Sequence, residues 1–305
     1  MTWDNAIESY KSYLILEKSL SANSVEAYLN DIRKLAGYCA EHHQVKTPND
    51  VTYDMLKDYL LYVGEVGVTN RTQARCISSI RSFFKFLVLD GQLEVNPTLL
   101  LETPKIGRKL PNILTVSEID SILNAVEMYK PEGQRNRAII EMLYSCGLRV
   151  SELISLKLSN INFRMGIVKI DGKGNKERIV PLSKNAKAEI RQYQKVYRDY
   201  LDIEKGYEDI LFLNKRGTPL SRVMVFNIIK HLTLRAGIKK NVSPHTFRHS
   251  FASHLVSGGA DLRAVQNMLG HESILTTEIY THLDDHYLKD TINKFHPRSK
   301  EESKK

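Results

Sequence analysis

Arg149 lies in Gly147-Leu148-Arg149-Val150-Ser151-Glu152-Leu153, between two stretches of helical spacing. Lys173 stands between glycines in Gly172-Lys173-Gly174. His245 and Arg248 are three apart in His245-Thr246-Phe247-Arg248-His249, which puts them on one face of a helix. His271 follows the helix-ending glycine of Leu269-Gly270-His271, and Tyr280 follows in Thr276-Thr277-Glu278-Ile279-Tyr280-Thr281-His282. Together these side chains are a metal-free kit for attacking a phosphodiester. Arginine stays charged and its planar fork pairs with phosphate oxygens at two points. Lysine and histidine exchange protons near neutrality. A free tyrosine has a pKa of about 10, so the phenolate lies roughly 4 kcal/mol uphill at neutral pH. A neighbouring base and nearby cations can close that gap.

Each residue also has an ordinary reading. Arg149 with Glu152 three positions on fits a surface ion pair, and a lysine between glycines fits a turn. His245 and His249 have the spacing of a zinc helix but lack the acid of His-Glu-x-x-His, and Phe247, Phe251 and Leu255 mark a buried stripe beside them. A zinc hydrolase on His245, His249 and His254 is the weakest alternative. Glu208-Asp209 and Asp284-Asp285 are simple adjacent acids, not a two-metal carboxylate cluster. No Gly-x-x-x-x-Gly-Lys-Ser/Thr loop is present, which argues against ATP use.

The elements that must carry these residues are mostly helices. Trp3, Ile7, Tyr10 and Leu14 step at helical intervals. Ser21 or Asn23 can cap a second helix bearing Val25, Leu29, Ile32, Leu35 and Tyr38. A third is expected over residues 52–66 and a fourth from near Thr69 to Leu89, ending at Asp90-Gly91. The polar side of the fourth carries Arg71, Arg75, Arg81 and Lys85, either a solvated face or a DNA-contacting one. Pro97, Pro104, Gly107 and Pro111 then break the pattern, and Lys105, Arg108 and Lys109 make this stretch a basic linker suited to lying along a polyanion.

Beyond the linker, Thr115 and Glu118 form a capping-box pattern. Residues 160–182 alternate with period two around Gly166 and Gly172-Lys173-Gly174-Asn175, predicting a short antiparallel sheet whose hairpin tip carries Lys173, or alternatively Lys176. Residues 183–201 read as helix, 210–213 as a short strand, and helices dominate from Ser221 onwards. The predicted architecture is mainly α with a small antiparallel β-sheet, in two domains.

The chain has 305 residues, with 44 Lys and Arg against 35 Asp and Glu, a net charge of +9. Residues 1–104 hold 10 basic and 13 acidic side chains, a net of −3, so the remainder carries +12. A basic surface of that size points to nucleic acid. No apolar run approaches the roughly 18 residues of a membrane span. The N-terminus lacks the basic-then-apolar pattern of a leader, and Cys39, Cys76 and Cys146 show no metal-ligand spacing. A reduced, cytoplasmic protein is expected.

The order Arg149, Lys173, His245-x-x-Arg248, His271, Tyr280, with its surrounding words, resembles the catalytic set of the tyrosine recombinases, the lambda-integrase family. Those words include Pro244-His245-Thr246-Phe247-Arg248-His249-Ser250-Phe251-Ala252. The ending Phe295-His296-Pro297-Arg298 is most similar to bacterial Xer site-specific recombinases, nearer the XerD than the XerC type. The resemblance implies an N-terminal four-helix, SAM-like DNA-binding domain over residues 1–95 and a basic linker over 96–111. It further implies a mixed α/β catalytic domain over 112–298, followed by a charged tail over 299–305.

By the same resemblance Tyr280 would be the nucleophile, forming a 3′-phosphotyrosyl link. Arg149, Arg248 and His271 would bind the scissile phosphate, Lys173 would protonate the leaving 5′-oxygen, and His245 would assist proton transfer. No metal, ATP or other cofactor is implied. The implied partners are double-stranded DNA with a dif-type site, a related recombinase in a homo- or hetero-tetramer, and the translocase FtsK. The terminal helix around Tyr287, Leu288, Ile292 and Phe295 would dock into a neighbour in such an assembly, although its pattern also suits intramolecular packing. The implied job is resolution of chromosome dimers during cell division. The rival jobs are integration or transposition of a mobile element, or DNA binding by an inactive relative.

Overall fold

The computed structural model describes residues 1–104, 112–171, 177–270 and 285–300. The chain divides into two compact units, Met1–Lys109 and Leu110–Lys305, each with its own hydrophobic core.

The first unit is built on four helices, α1 (Trp3–Leu16), α2 (Ala22–His43), α3 (Tyr53–Glu65) and α4 (Asn70–Leu89). Each starts behind a hydroxyl residue whose side chain accepts a backbone N–H of the first turn: Thr2, Ser21, Thr52 and Thr69. These caps satisfy donors that the helix itself leaves unpaired, which is why the helices begin at these positions. The core is aromatic. Phe83 of α4 meets Tyr10 edge-on at 5.2 Å and stacks with Trp3 at 6.0 Å. Truncating a ring this deeply buried costs about 3–5 kcal/mol.

The polar side of α4 is only partly free. Arg75 pairs with the buried Asp31 at 2.5 Å, and Ser79 donates to the same carboxylate at 2.7 Å. Arg81 donates to the Thr103 hydroxyl at 3.1 Å and to the Leu101 carbonyl. Arg71 and Lys85 are exposed and form no ion pair among the described residues. Lys105, Arg108 and Lys109 lie outside the described residues.

In the second unit α5 (Val116–Asn124) opens with the expected capping box: Glu118 N donates to Thr115 Oγ1 at 3.2 Å, and Thr115 N donates to Glu118 Oε2 at 2.7 Å. Next come the buried helix α6 (Gly133–Ser145) and the single turn α7 (Val150–Ile154). The strands β1 (Ile161–Asn162), β2 (Ile167–Asp171) and β3 (Glu177–Pro181) form an antiparallel sheet in that order. Val168 and Ile170 point into the core, opposite Val180 and Arg178 respectively, while Lys169 points out and pairs with Glu177 at 2.7 Å. Helices α8 (Lys184–Val196), α9 (Arg222–Arg235), α10 (Pro244–Ser257) and α11 (Leu262–Leu269) follow, then α12 (Asp285–Phe295) and α13 (Pro297–Lys300).

Residues 210–213 do not form the expected strand; they make only isolated bridges to Lys157 and Pro219. The buried Arg198 guanidinium takes the carbonyls of Glu208, Ile210 and Leu211, which are acceptors that a neighbouring strand would need. The C-terminal end is anchored in its own unit. Leu288 and Ile292 join the core, and the buried Arg298 pairs with Asp120 at 2.6 Å and lies 3.4 Å from Glu141. No helix among the described residues is long and apolar enough to cross a membrane.

Candidate active site

The turn between α6 and α7 is set by Gly147, whose φ of +58° suits glycine and whose missing Cβ leaves room for the Phe251 ring. Arg149 therefore stands at the N-cap of α7, with Glu152 one turn on. Its backbone N–H donates to Glu152 Oε2 and its Nη1 donates to Oε1, both at 2.8 Å.

Helix α10 supplies His245 and Arg248. Ser243 N donates to Thr246 Oγ1 at 3.0 Å and Pro244 fills the first turn, where a backbone N–H would go unused. Phe247, Phe251 and Leu255 are fully buried. Arg248 points the same way, only 8% of its side chain exposed; Nη1 donates to the Gly147 carbonyl at 2.8 Å and Nη2 donates to that of Leu269. Burial, then the nearby Arg149 cation, pushes its pKa down to about 10, so it remains charged at neutral pH. His245 is exposed at the helix surface. Partial burial, then His249 and Arg248, lowers its pKa, so the imidazole is neutral at pH 7 and able to accept a proton.

Helix α11 ends at Gly270, with φ +62°. Its last carbonyls meet three different arginines. Arg178 Nε donates to Met268 O at 2.8 Å, Arg248 donates to Leu269 O, and Arg149 Nη2 donates to Gly270 O at 3.1 Å. Carbonyls at a helix C-terminus lack intrahelical partners and carry partial negative charge, so they attract cations. One buried carboxylate, Glu152, sits among the three guanidiniums: Arg178 grips it with two bonds of 2.7 Å, Arg149 with one of 2.8 Å, and Arg248 stands 4.0 Å away. Burial raises the Glu152 pKa, but Arg178 and then Arg149 outweigh it, and the carboxyl titrates below the ordinary range. Among the described residues, three cations surround one anion, a surplus of positive charge that suits an anionic ligand such as a phosphate.

The structure thus brings Arg149, Arg248 and His245 together from two separate helices. Lys173, His271 and Tyr280 lie outside the described residues; the chain enters and leaves the Lys173 segment at Asp171 and Glu177, which are register partners, and His271 directly follows Gly270. Arg178 was not anticipated. The strand register places it opposite Ile170, a core position, and directly opposed residues of an antiparallel pair share a face. The zinc-helix alternative loses its geometry: His254 turns its Nδ1 to the Tyr144 hydroxyl at 2.9 Å, and no cluster of three or more potential metal ligands occurs among the described residues.

The family model described as Phage integrase family matches residues 112–286, and that of the Phage integrase, N-terminal SAM-like domain matches residues 7–91. Tyrosine recombinase XerD of Staphylococcus aureus is 42% identical over 296 residues, covering 97% of this chain and all of that protein. Among solved structures, the XerH site-specific recombinase bound to palindromic difH substrate aligns with a TM-score of 0.71 and 24% identity, covering 94% of this chain and 83% of that one. A lambda integrase (75–356) dimer bound to a COC′ core site aligns with a TM-score of 0.69 and 18% identity, covering 90% and 96%. These two likenesses are of fold. The family models and the identity to XerD carry the assignment: the chain belongs to the phage integrase family and is a site-specific tyrosine recombinase, an enzyme that cuts and rejoins DNA.

Proposed function

We propose that Arg149, Lys173, His245, Arg248, His271 and Tyr280 are the catalytic set of this recombinase. Tyr280 Oη attacks the scissile phosphorus; the bond to the 5′-oxygen breaks and a 3′-phosphotyrosyl link forms. Arg149, Arg248 and His271 hold the non-bridging oxygens as charge develops. Lys173 protonates the departing 5′-oxygen, and His245, neutral at pH 7, takes the Tyr280 proton. A 5′-hydroxyl from a partner duplex then attacks the link and releases the tyrosine. One phosphodiester is made for each one broken, so strand exchange needs neither ATP nor a metal.

The observation that carries this reading is the convergence of Arg149 and Arg248 on the carbonyl end of α11, immediately before His271, around one carboxylate, Glu152, among the described residues.

The substrate is double-stranded DNA, gripped by the helical domain (residues 1–95) and the catalytic domain (112–298), with the basic linker (96–111) along the duplex. Arg71 and Lys85 on α4, and Lys105, Arg108 and Lys109 in the linker, are its candidate phosphate contacts, whereas Arg75 and Arg81 of the same helix face are engaged by Asp31 and by Leu101 and Thr103. The +12 of residues 105–305 supports DNA binding by the linker and the catalytic domain, since neutralising phosphates dominates such binding. The protein works in the cytoplasm on a dif-type site, in a tetramer with copies of itself or a related recombinase, and resolves chromosome dimers with FtsK as a candidate activator. This finer reading draws on the XerD and XerH likenesses.

The test is covalent trapping on a nicked dif-like duplex. Wild type should give a denaturant-resistant, protease-sensitive adduct that Tyr280→Phe abolishes; an adduct that survives in Tyr280→Phe would remove Tyr280 from its role.

A further inference from the structure

Arg178 lies on β3, just beyond the segment that carries Lys173, and no role described so far uses it. Its side chain is only 10% exposed. All three donor nitrogens of its fork are occupied: Nη1 and Nη2 donate to the two oxygens of Glu152 at 2.7 Å each, and Nε donates to Met268 O at 2.8 Å. Glu152 in turn holds Arg149 through its backbone N–H and its Nη1. The fit is tight on the α11 side as well. A Cβ on Gly270 would lie 3.0 Å from Arg178 Cδ, so glycine there lets the stem of Arg178 close against the end of α11.

One buried cation therefore ties together β3, α7 and the end of α11. These are the elements next to which the chain carries Lys173, Arg149 and His271. As packing alone the arrangement is unfavourable. A buried ion pair contributes little net stability compared with apolar side chains of similar volume, and a second and third guanidinium nearby add repulsion. It becomes useful when Arg149 has to be held in one orientation before substrate arrives, because pre-paid ordering of a phosphate-binding group lowers the barrier of the chemical step.

We propose that Arg178 is a positioning residue for strand cleavage: through Glu152 it fixes the guanidinium of Arg149 towards the scissile phosphate, and through Met268 it fixes the end of α11 from which the His271 segment departs. The proposal rests on the assignment of Arg149 as a phosphate-binding residue. Arg178 itself makes no contact with DNA in this role. A lysine keeps the charge but cannot make the parallel pair to Glu152 and the bond to Met268 together.

The experiment measures single-turnover adduct formation at saturating nicked duplex for wild type, Arg178→Lys and Arg178→Met, each also in an Arg149→Lys background, with duplex affinity and thermal unfolding recorded alongside. Arg178→Lys should slow cleavage at least about tenfold, while duplex affinity changes less than about threefold, a split that a loss of fold does not produce. In the Arg149→Lys background the same change should cost clearly less than in the wild-type background, because the guanidinium that Arg178 positions is already gone and only the hold on α11 remains to be lost. If Arg178→Met fails to fold, Arg178→Lys, which retains the buried charge, carries the test. An unchanged cleavage rate in Arg178→Lys, a full multiplicative loss in the Arg149→Lys background, or parallel loss of affinity and fold would each overturn the proposal. Wild-type adduct formation and its dependence on Tyr280 and Arg149 are read in the same assay, so failure of the underlying assignment is seen separately.

Discussion

Gly147 faces the ring of Phe251 at a distance that leaves no space for a side chain: a Cβ at residue 147 would lie 2.6 Å from Cδ1 and 2.9 Å from Cε1. The ring cannot retreat easily, because Phe251 is fully buried in α10. Gly147 also has φ +58°, and its carbonyl receives Arg248 at 2.8 Å. Replacing Gly147 by Ala combines left-handed backbone strain with overpacking, a cost of about 3 kcal/mol. Thermal unfolding of the second unit should show a midpoint lowered by several degrees. Cleavage should fall further than stability alone explains, because the turn that presents Arg149 and anchors Arg248 is displaced.

His245 should set the acid limb of the cleavage reaction. Its pKa is lowered, first by partial burial and then by His249 and Arg248, so its midpoint lies below the ordinary histidine value. If the neutral imidazole takes the Tyr280 proton, the single-turnover rate between pH 5 and 8 falls on the acid side with a midpoint below the ordinary histidine value. His245→Gln should lower the plateau and remove that limb. His249→Gln, which removes a side chain that lowers the His245 pKa, should move the midpoint upward. A limb that persists in His245→Gln would assign the titration to another group.

What could be read from the residues, and what could not, divides by range. The caps Ser21, Thr52, Thr69 and Thr115 act on N–H groups within a turn of themselves, so these helix starts were visible in the pattern, with Ser21 the one of the two candidates, Ser21 and Asn23, that caps. Thr2, which does the same for the first helix, was not read as a cap. The placement of Arg248 was half visible: its helix face followed from spacing, but its bonds to Gly147 and Leu269 join positions 101 and 21 residues away. Arg178 was not visible because its partner Glu152 lies 26 residues back and Met268 lies 90 residues on. The strand expected over residues 210–213 failed for a similar reason. Its apolar run is real and buried, but a side chain from Arg198 occupies the carbonyls that pairing would have used.

The four basic residues on α4 should separate into two classes. Arg71 and Lys85 are exposed, whereas Arg75 compensates the buried Asp31 and Arg81 holds Leu101 and Thr103. Arg71→Ala and Lys85→Ala should each weaken duplex binding and reduce the slope of log affinity against log salt by about 0.9, the signature of one lost phosphate contact. Arg75→Ala should act mainly on the fold, because it leaves the buried Asp31 with Ser79 as its one remaining side-chain partner among the described residues; about 1–3 kcal/mol of stability should go. Titrations at several salt concentrations and denaturant unfolding of the intact chain distinguish the two. An unchanged salt slope in both Arg71→Ala and Lys85→Ala would take α4 off the DNA.

His296 should make the second unit acid-sensitive well above the range in which carboxylates titrate. It is fully buried, with Tyr144 and Phe251 rings at 4.8 and 5.5 Å. Burial, and then the Arg298 cation, pushes its pKa down to about 3. In the unfolded chain the same imidazole titrates near 6.5. Its folded pKa is therefore the lower one, and the fold keeps its full stability only above pH 6.5. As the pH falls below that value the unfolded chain takes up a proton that the folded chain refuses. Stability then drops by about 1.4 kcal/mol per pH unit from this group until the pH approaches 3. His245 and His254, whose pKa values are also lowered, add to the same slope. Glu152 has a depressed pKa too, so its contribution is lost only below the ordinary glutamate range. Between pH 6.5 and 4.5 the lowered histidines act against Glu141, whose carboxyl burial raises above the ordinary glutamate range, so the His296 share is read as the difference between wild type and variant. Denaturant unfolding at pH 7, 6 and 5 should show His296→Phe with a slope shallower by about one proton, and Glu152→Gln with an unaltered slope in that interval. An unaltered slope in His296→Phe would mean that the folded chain accommodates the protonated ring between Tyr144 and Phe251.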